Sequence, residues 1–261
     1  MPLSLAQTVL APETDNLPPL VIAHGLYGSG RNFNSLAKRF AQGRRVILVD
    51  MRNHGESPWA PEMDYAAMGD DLAETIAGVG GRAVVLGHSM GGKAAMGLAL
   101  SHPERIAGLI VADIAPVPYT HGHDQYIDAM RAVDLSAVSR RSDADPMLAD
   151  AIPEAMLRAF LLQNLVVEGG QARWRINLDA LAAALPDLLD WPRAWPEDAY
   201  EGPTLFLHGG GSDYLTAEMH PRIRGLFPDA EFQALPGAGH WLHAEQPDAF
   251  AAAVTAWLGR L

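Results

Sequence analysis

Residues 83–98 read Ala83-Val84-Val85-Leu86-Gly87-His88-Ser89-Met90-Gly91-Gly92-Lys93-Ala94-Ala95-Met96-Gly97-Leu98, an apolar run that passes without a spacer into a stretch of small residues. An apolar run bounded by glycine reads as a buried strand, and the small-residue stretch behind it reads as a helix. The serine then sits where a strand turns sharply into a helix, the G-x-S-x-G elbow that presents a nucleophile. Such a turn is cramped, and glycine at 87 and 91 removes Cβ atoms that would strike neighbouring backbone. It leaves the Ser89 hydroxyl at the carboxyl end of the strand. The following helix aims its free N–H groups and the positive end of its dipole at the same point, where a developing oxyanion would be stabilised. A glycine-rich chain also produces this pentapeptide by accident, but accident does not supply both the strand and the helix.

Outward from the elbow, short apolar runs alternate with amphipathic segments, and each run ends in Gly, Pro, Asn or Asp. This is the pattern of an α/β chain with a mostly parallel sheet covered by helices on both faces. The expected strands are 3–9, 20–23, 45–49, 83–86, 106–112, 204–208 and 231–235, and the expected helices 32–41, 68–78, 92–101, 218–226 and 247–258. Between 116 and 200 the buried β-type runs give way to helical segments at 124–132, 144–151, 154–166 and 178–189, punctuated by Pro116, Pro118, Pro192 and Pro196. The expected organisation is a core of residues 1–115 and 201–261 with a helical cap of 116–200 inserted. A cap entering there would cover the carboxyl ends of the strands, where open α/β sheets bind ligands. Of its apolar residues Phe160, Leu161, Leu165, Trp174 and Leu181, helical spacing assigns most to cap core rather than to a pocket wall.

The 261 residues suffice for one large domain with an insertion, and a net charge of −12 with no dense basic cluster argues against a nucleic-acid partner. The chain has no cysteine, which excludes disulfides, zinc-thiolate sites and a cysteine nucleophile. Its first residues lack a basic segment before an apolar run, and no stretch is long and apolar enough to span a bilayer, so a soluble, cytoplasmic protein with no membrane association is the expectation. Oligomeric state leaves no mark on the sequence.

A serine is a weak nucleophile until a base, itself oriented by a third group, activates it. Leu235-Pro236-Gly237-Ala238-Gly239-His240-Trp241 places a histidine in a glycine-rich loop between the last expected strand and the last expected helix, so His240 is the candidate base. His102, His121, His123, His208 and His220 are read as surface or hydrogen-bonded core residues. His243 lies three residues past His240, but no third ligand with suitable spacing accompanies it, so no metal is expected. Two aspartates end strands in suitable places, Asp113 after Leu109-Ile110-Val111-Ala112 and Asp213 after the run from Leu205 to Ser212. The residues alone favour Asp213, which lies between Ser89 and His240 on the strand before the histidine loop; the other aspartate would cap a turn or helix. For the oxyanion hole the donors are the N–H of Met90 and a second N–H from His24-Gly25-Leu26-Tyr27-Gly28-Ser29-Gly30, Leu26 first and Tyr27 next. That loop lacks both the Gly-Lys-Ser/Thr ending and the G-x-G-x-x-G spacing of nucleotide sites.

With these residues in place, the whole chain resembles the α/β-hydrolase superfamily, and more narrowly the YbfF-type esterases. The resemblance rests on His24 to Ser29, Asp50-Met51-Arg52-Asn53-His54-Gly55-Glu56-Ser57-Pro58, Gly87 to Lys93, Asp113-Ile114-Ala115-Pro116 and Gly237 to Trp241, with cap blocks Phe160 to Leu165 and Trp174 to Asn177. It implies the α/β-hydrolase fold and a carboxylesterase or thioesterase that uses a small acyl substrate and no cofactor. It also implies that the acid comes from the Asp-Ile-Ala-Pro block, which sets Asp113 ahead of Asp213. The Asp50-to-Pro58 block reads as a hydrogen-bonded turn bracing the site floor. The same superfamily supports carbon–carbon bond hydrolysis and cofactor-free haloperoxidase chemistry, and a capped pocket also suits a non-catalytic receptor, so these are the alternatives to ester cleavage.

Overall fold

Apolar side chains along the central strands alternate between two cores. Val21, Ala23, Ile47, Val49, Val85, Leu109, Val111 and Phe206 face one, and Leu20, Ile22, Val46, Leu48, Val84, Leu86, Ile110, Ala112, Leu205 and Leu207 face the other. A period of two with both faces apolar is what a parallel sheet between helical layers demands. In the computed structural model the strands are β1 (Gln7–Leu10), β2 (Leu20–Ala23), β3 (Val46–Val49), β4 (Ala83–His88), β5 (Ile106–Ala112), β6 (Leu165–Glu168), β7 (Gln171–Trp174), β8 (Thr204–Gly209) and β9 (Ala230–Leu235). Seven form one sheet in the order β1-β3-β2-β4-β5-β8-β9, in which β1 is antiparallel to β3 and the other pairs are parallel. The structure describes residues 1–261 apart from 121, 193, 194, 196 and 197, so the expectations for His121 and Pro196 lie outside the described residues.

The helices are α1 (Asn34–Phe40), α2 (Tyr65–Ala77), α3 (Met90–Ser101), α4 (Asp124–Arg131), α5 (Asp145–Leu148), α6 (Ala155–Leu161), α7 (Leu178–Leu189), α8 (His220–Leu226), α9 (Leu242–Glu245) and α10 (Pro247–Leu258). Buried residues of α2, α3 and α8 pack into the first core, and those of α1 and α10 into the second. The order of connection reverses between β2 and β4, which are neighbours although β3 lies between them in sequence. Loops leaving the carboxyl ends of two such strands diverge and open a crevice, the usual ligand position in open α/β sheets.

Within 116–200, where helical segments are expected to dominate, two of the expected helices differ. Instead of a helix over 154–166, α6 ends at Leu161 and an antiparallel hairpin follows, β6 pairing with β7 from Leu165↔Trp174 to Glu168↔Gln171. Its signal was present in the chain: β-branched Val166 and Val167 run into Gly169-Gly170, whose φ values of 58° and 78° suit a two-residue hairpin turn. The helix expected over 144–151 shortens to α5. Strand β1 starts at Gln7 rather than Leu3, because the N–H of Leu3 goes to the Asp71 carboxylate (2.6 Å) and that of Ala6 to Ser57 Oγ (2.8 Å).

Asp71 on α2 and Arg52 form a buried two-point ion pair, Nε to Oδ2 at 2.7 Å and Nη2 to Oδ1 at 2.8 Å. The guanidinium also donates to the carbonyls of Glu62 and Ala67, so its donors are matched on several sides. Replacing Arg52 by methionine leaves the Asp71 charge buried without its partner, and urea unfolding is expected to show a loss of about 3–5 kcal/mol.

Candidate active site

Ser89 follows β4 and precedes α3 with φ 51° and ψ −120°, a left-handed conformation costly for a side-chain-bearing residue. Its N–H is tied to the Ala112 carbonyl at 3.0 Å, and its own carbonyl accepts from Lys93 N–H at 3.0 Å. The flanking glycines are required by space. A Cβ at Gly91 would lie 2.5 Å from the Ala23 carbonyl oxygen and 2.6 Å from that of His24, and one at Gly87 would lie 2.6 Å from Gly92 Cα. Because those contacts are backbone on backbone, Gly91→Ala is expected to displace the elbow. Thermal melting should show a loss of several degrees, with ester turnover lost in parallel.

His240 reaches Ser89 from the loop after β9, with Nε2 at 3.1 Å from Ser89 Oγ and Nδ1 at 2.8 Å from Asp113 Oδ2. Asp113 follows β5 with φ 52° and is fully buried. Its Oδ1 accepts the Gly209 N–H at 2.9 Å, and its Oδ2 accepts the Ser212 hydroxyl. With the carboxylate as acceptor, Nδ1 carries the ring proton and Nε2 presents a lone pair to the serine hydroxyl. Tyr214 stacks on the imidazole, ring centres 3.7 Å apart and planes 20° from parallel. The other aspartate, Asp213, is exposed, and its charge helps hold the Tyr119 and Tyr214 hydroxyls above their usual range, after burial as the larger cause.

The structure separates the candidate oxyanion donors. Tyr27 has φ 63°, and its N–H donates to His54 Nε2 at 3.2 Å, whereas the N–H groups of Leu26 and Met90 donate to no acceptor among the described residues. Leu26 and Met90 both line space at Ser89. The Asp50-to-Pro58 block supports this loop. Asp50 Oδ1 accepts Gly30 N–H and Oδ2 accepts Glu56 N–H, both at 2.8 Å. His54 accepts from Tyr27 as a neutral ring and donates through Nδ1 to the Arg52 carbonyl at 2.9 Å; burial, with His24 beside it, pushes its pKa down to about 3.

The profile of the Alpha/beta hydrolase family matches residues 20–253. The chain belongs to that family. This α/β-hydrolase is 46% identical to the sn-1-specific diacylglycerol lipase ABHD11 of Mus musculus, over 98% of this chain and 86% of the relative. It is 38% identical to the esterase YbfF of Escherichia coli K12, over 97% of each chain. Among solved structures it superposes on a marine microorganism esterase with a TM-score of 0.92 at 38% identity, covering 98% of this chain and 99% of the other.

Two clefts of the hydrolase meet at Ser89. One is walled by Phe33, His88, Tyr126, Leu157, Phe160 and Trp241, the other by Met90, Lys93, Ile114, Tyr119, Leu185 and Leu188. Leu26, Ser89 and His123 border both. His123, read from sequence as a bland surface or core residue, thus stands in the cleft wall with Nε2 at 3.3 Å from the Tyr214 hydroxyl. Of the five apolar residues weighed between cap core and pocket, Leu161, Leu165, Trp174 and Leu181 are core, and Phe160 lines the cleft against Trp241 with ring centres 5.9 Å apart. Sequence reasoning also missed His88, whose Nε2 donates to the His240 carbonyl at 2.9 Å and whose burial holds its pKa well below the ordinary value. Among the described residues no group of three metal-ligating side chains comes together, and no helix is long and apolar enough to cross a membrane.

Proposed function

We propose that this α/β-hydrolase cleaves carboxylic esters, and acyl thioesters with them, through an acyl-enzyme on Ser89. Its relatives include a lipase and esterases, so the hydrolase belongs to the ester-cleaving class. The observation that carries the finer reading is the continuous relay of Ser89 Oγ, His240 and Asp113 at 3.1 and 2.8 Å, placed where two clefts meet. Acyl transfer needs that placement, with one cleft for the acyl group and one for the leaving group.

Ser89 Oγ attacks the acyl carbon as His240 Nε2 takes its proton. The carbonyl oxygen becomes an oxyanion beside the N–H groups of Met90 and Leu26, at the N-terminal end of α3. Asp113 holds the ring in the tautomer that can accept a proton and stabilises the imidazolium that forms. Collapse of the tetrahedral intermediate expels the alkoxide or thiolate, which takes the proton from His240, and water repeats the sequence to release the acid. In this reading residues 116–200 act as a cap, since His123, Tyr126, Leu157, Phe160, Leu185 and Leu188 close the clefts from that side.

A panel of p-nitrophenyl esters, acyl thioesters and a diacylglycerol, read beside labelling by a serine-directed fluorophosphonate, tests the proposal. Turnover with label on Ser89 is expected. Labelling without turnover of any ester would favour carbon–carbon hydrolysis or haloperoxidase chemistry on the same triad. Tight ligand binding without labelling would favour a receptor.

A further inference from the structure

Lys93 takes part in no step of that chemistry, yet it stands one turn into α3 from Ser89 and lines the second cleft. Its side chain is buried. The ammonium donates to the carbonyls of Leu189 (3.2 Å) and Asp190 (2.7 Å) at the C-terminal end of α7. It also lies 4.8 Å from the centre of the Tyr119 ring and 5.6 Å from that of Tyr65. An ammonium has three donor hydrogens, so two carbonyls leave one for the cleft. Among the described residues no carboxylate forms an ion pair with it; that of Asp190 acts through space, its Oδ1 accepting the Trp191 N–H at 2.8 Å.

Tying α7 to the core does not call for this charge. The Tyr65 hydroxyl already donates to the Leu188 carbonyl at 2.6 Å and the Tyr119 N–H to that of Leu189 at 2.8 Å. Removing a cation from water against neutral partners costs stability, and an anionic group in the cleft would offset that cost. The walls of the cleft that Ser89 and Lys93 both line are apolar at Ile114, Leu185 and Leu188, which suits a methylene chain.

We propose that the second cleft receives an acyl chain ending in a carboxylate, with Lys93 as its counter-charge, so that half-esters and half-thioesters of dicarboxylic acids are a substrate class. This assignment rests on the ester-cleaving reading above. The chain as a whole carries a net charge of −12, which slows the approach of anionic substrates, and a cation in the cleft acts against that.

Burial lowers the Lys93 pKa to about 7, the Asp190 charge pulling the other way. Among the described residues the groups facing it are Tyr65 on α2, Tyr119, Asp190 beyond α7 and, across the cleft, His123 and Tyr214. The three tyrosine hydroxyls are pushed up by burial and stay neutral at moderate pH, so their charge does not change there as that of Lys93 does. Charge on Lys93 is present below its pKa and lost above it.

The test compares kcat/KM for mono-p-nitrophenyl adipate with that for its neutral methyl ester, after subtraction of spontaneous hydrolysis. The wild-type acid-to-neutral ratio is expected to exceed that of Lys93→Met by about tenfold or more near pH 6. It should fall by about tenfold as pH rises to about 8.5, since kcat/KM follows the free enzyme and the shared Ser89–His240 chemistry cancels in the ratio. A flat ratio in Lys93→Met assigns the dependence to Lys93 rather than His123, and Lys93→Arg should retain the acid preference. The same ratio in wild type and Lys93→Met, or a pH-independent wild-type ratio, overturns the proposal. The wild-type profile decides even where the methionine variant does not fold. Turnover of neither ester by the wild type would instead refute the ester-cleaving reading itself, and this assignment with it.

Discussion

Ser89→Ala is expected to lower kcat for p-nitrophenyl butyrate by about a millionfold, leaving a residue of about a thousandfold over water from the oxyanion donors and binding. The size of the effect follows from the hydroxyl oxygen being the attacking atom, with His240 Nε2 3.1 Å away to take its proton. Alanine tolerates the site, because it adds no atom and meets the same φ of 51° that serine already adopts. Circular dichroism should therefore match wild type while turnover and fluorophosphonate labelling disappear together. Undiminished turnover in the folded variant would remove the acyl-enzyme from the mechanism.

The second large effect separates the two aspartates. Asp113→Asn is expected to lower kcat by about ten-thousandfold, since the amide can face His240 with its NH2 group, which forces the ring proton onto Nε2 and takes away the base. Oδ1 of the asparagine can still accept the Gly209 N–H, so the loss is one of tautomer more than of fold. Asp213→Asn, on an exposed side chain, should stay within about threefold of wild type, in line with ordinary surface substitutions. Steady-state kinetics on the two variants side by side decide the matter, and a crippled Asp213→Asn beside a healthy Asp113→Asn would transfer the acid to Asp213.

Both aspartates were visible in the sequence, each ending an apolar run in a short turn, and chain order favoured Asp213 where the family resemblance favoured Asp113. What distinguishes them is reach. Asp113 turns inward at a φ of 52° and meets Gly209, Ser212 and His240, all more than ninety residues later in the chain. The hairpin at 165–174 was legible in principle from Val166-Val167 and Gly169-Gly170, but the apolar run before it was read with a helical period. His88, His123 and Lys93 gave no signal of their own. Their places in the site come from long-range contacts with His240, Tyr214 and α7.

The sequence by itself determined the elements that depend on neighbours in the chain: strand and helix around Ser89, the glycines that a crowded turn requires, the order of serine before histidine, and the alternation that makes a parallel sheet. Tertiary structure decided which carboxylate meets His240, which N–H of the loop after β2 has no acceptor among the described residues, and which lysine stands in a cleft. Those outcomes depend on hydrogen bonds and burial between residues brought together by β4, β5, β8 and β9, whose geometry no local stretch of residues encodes.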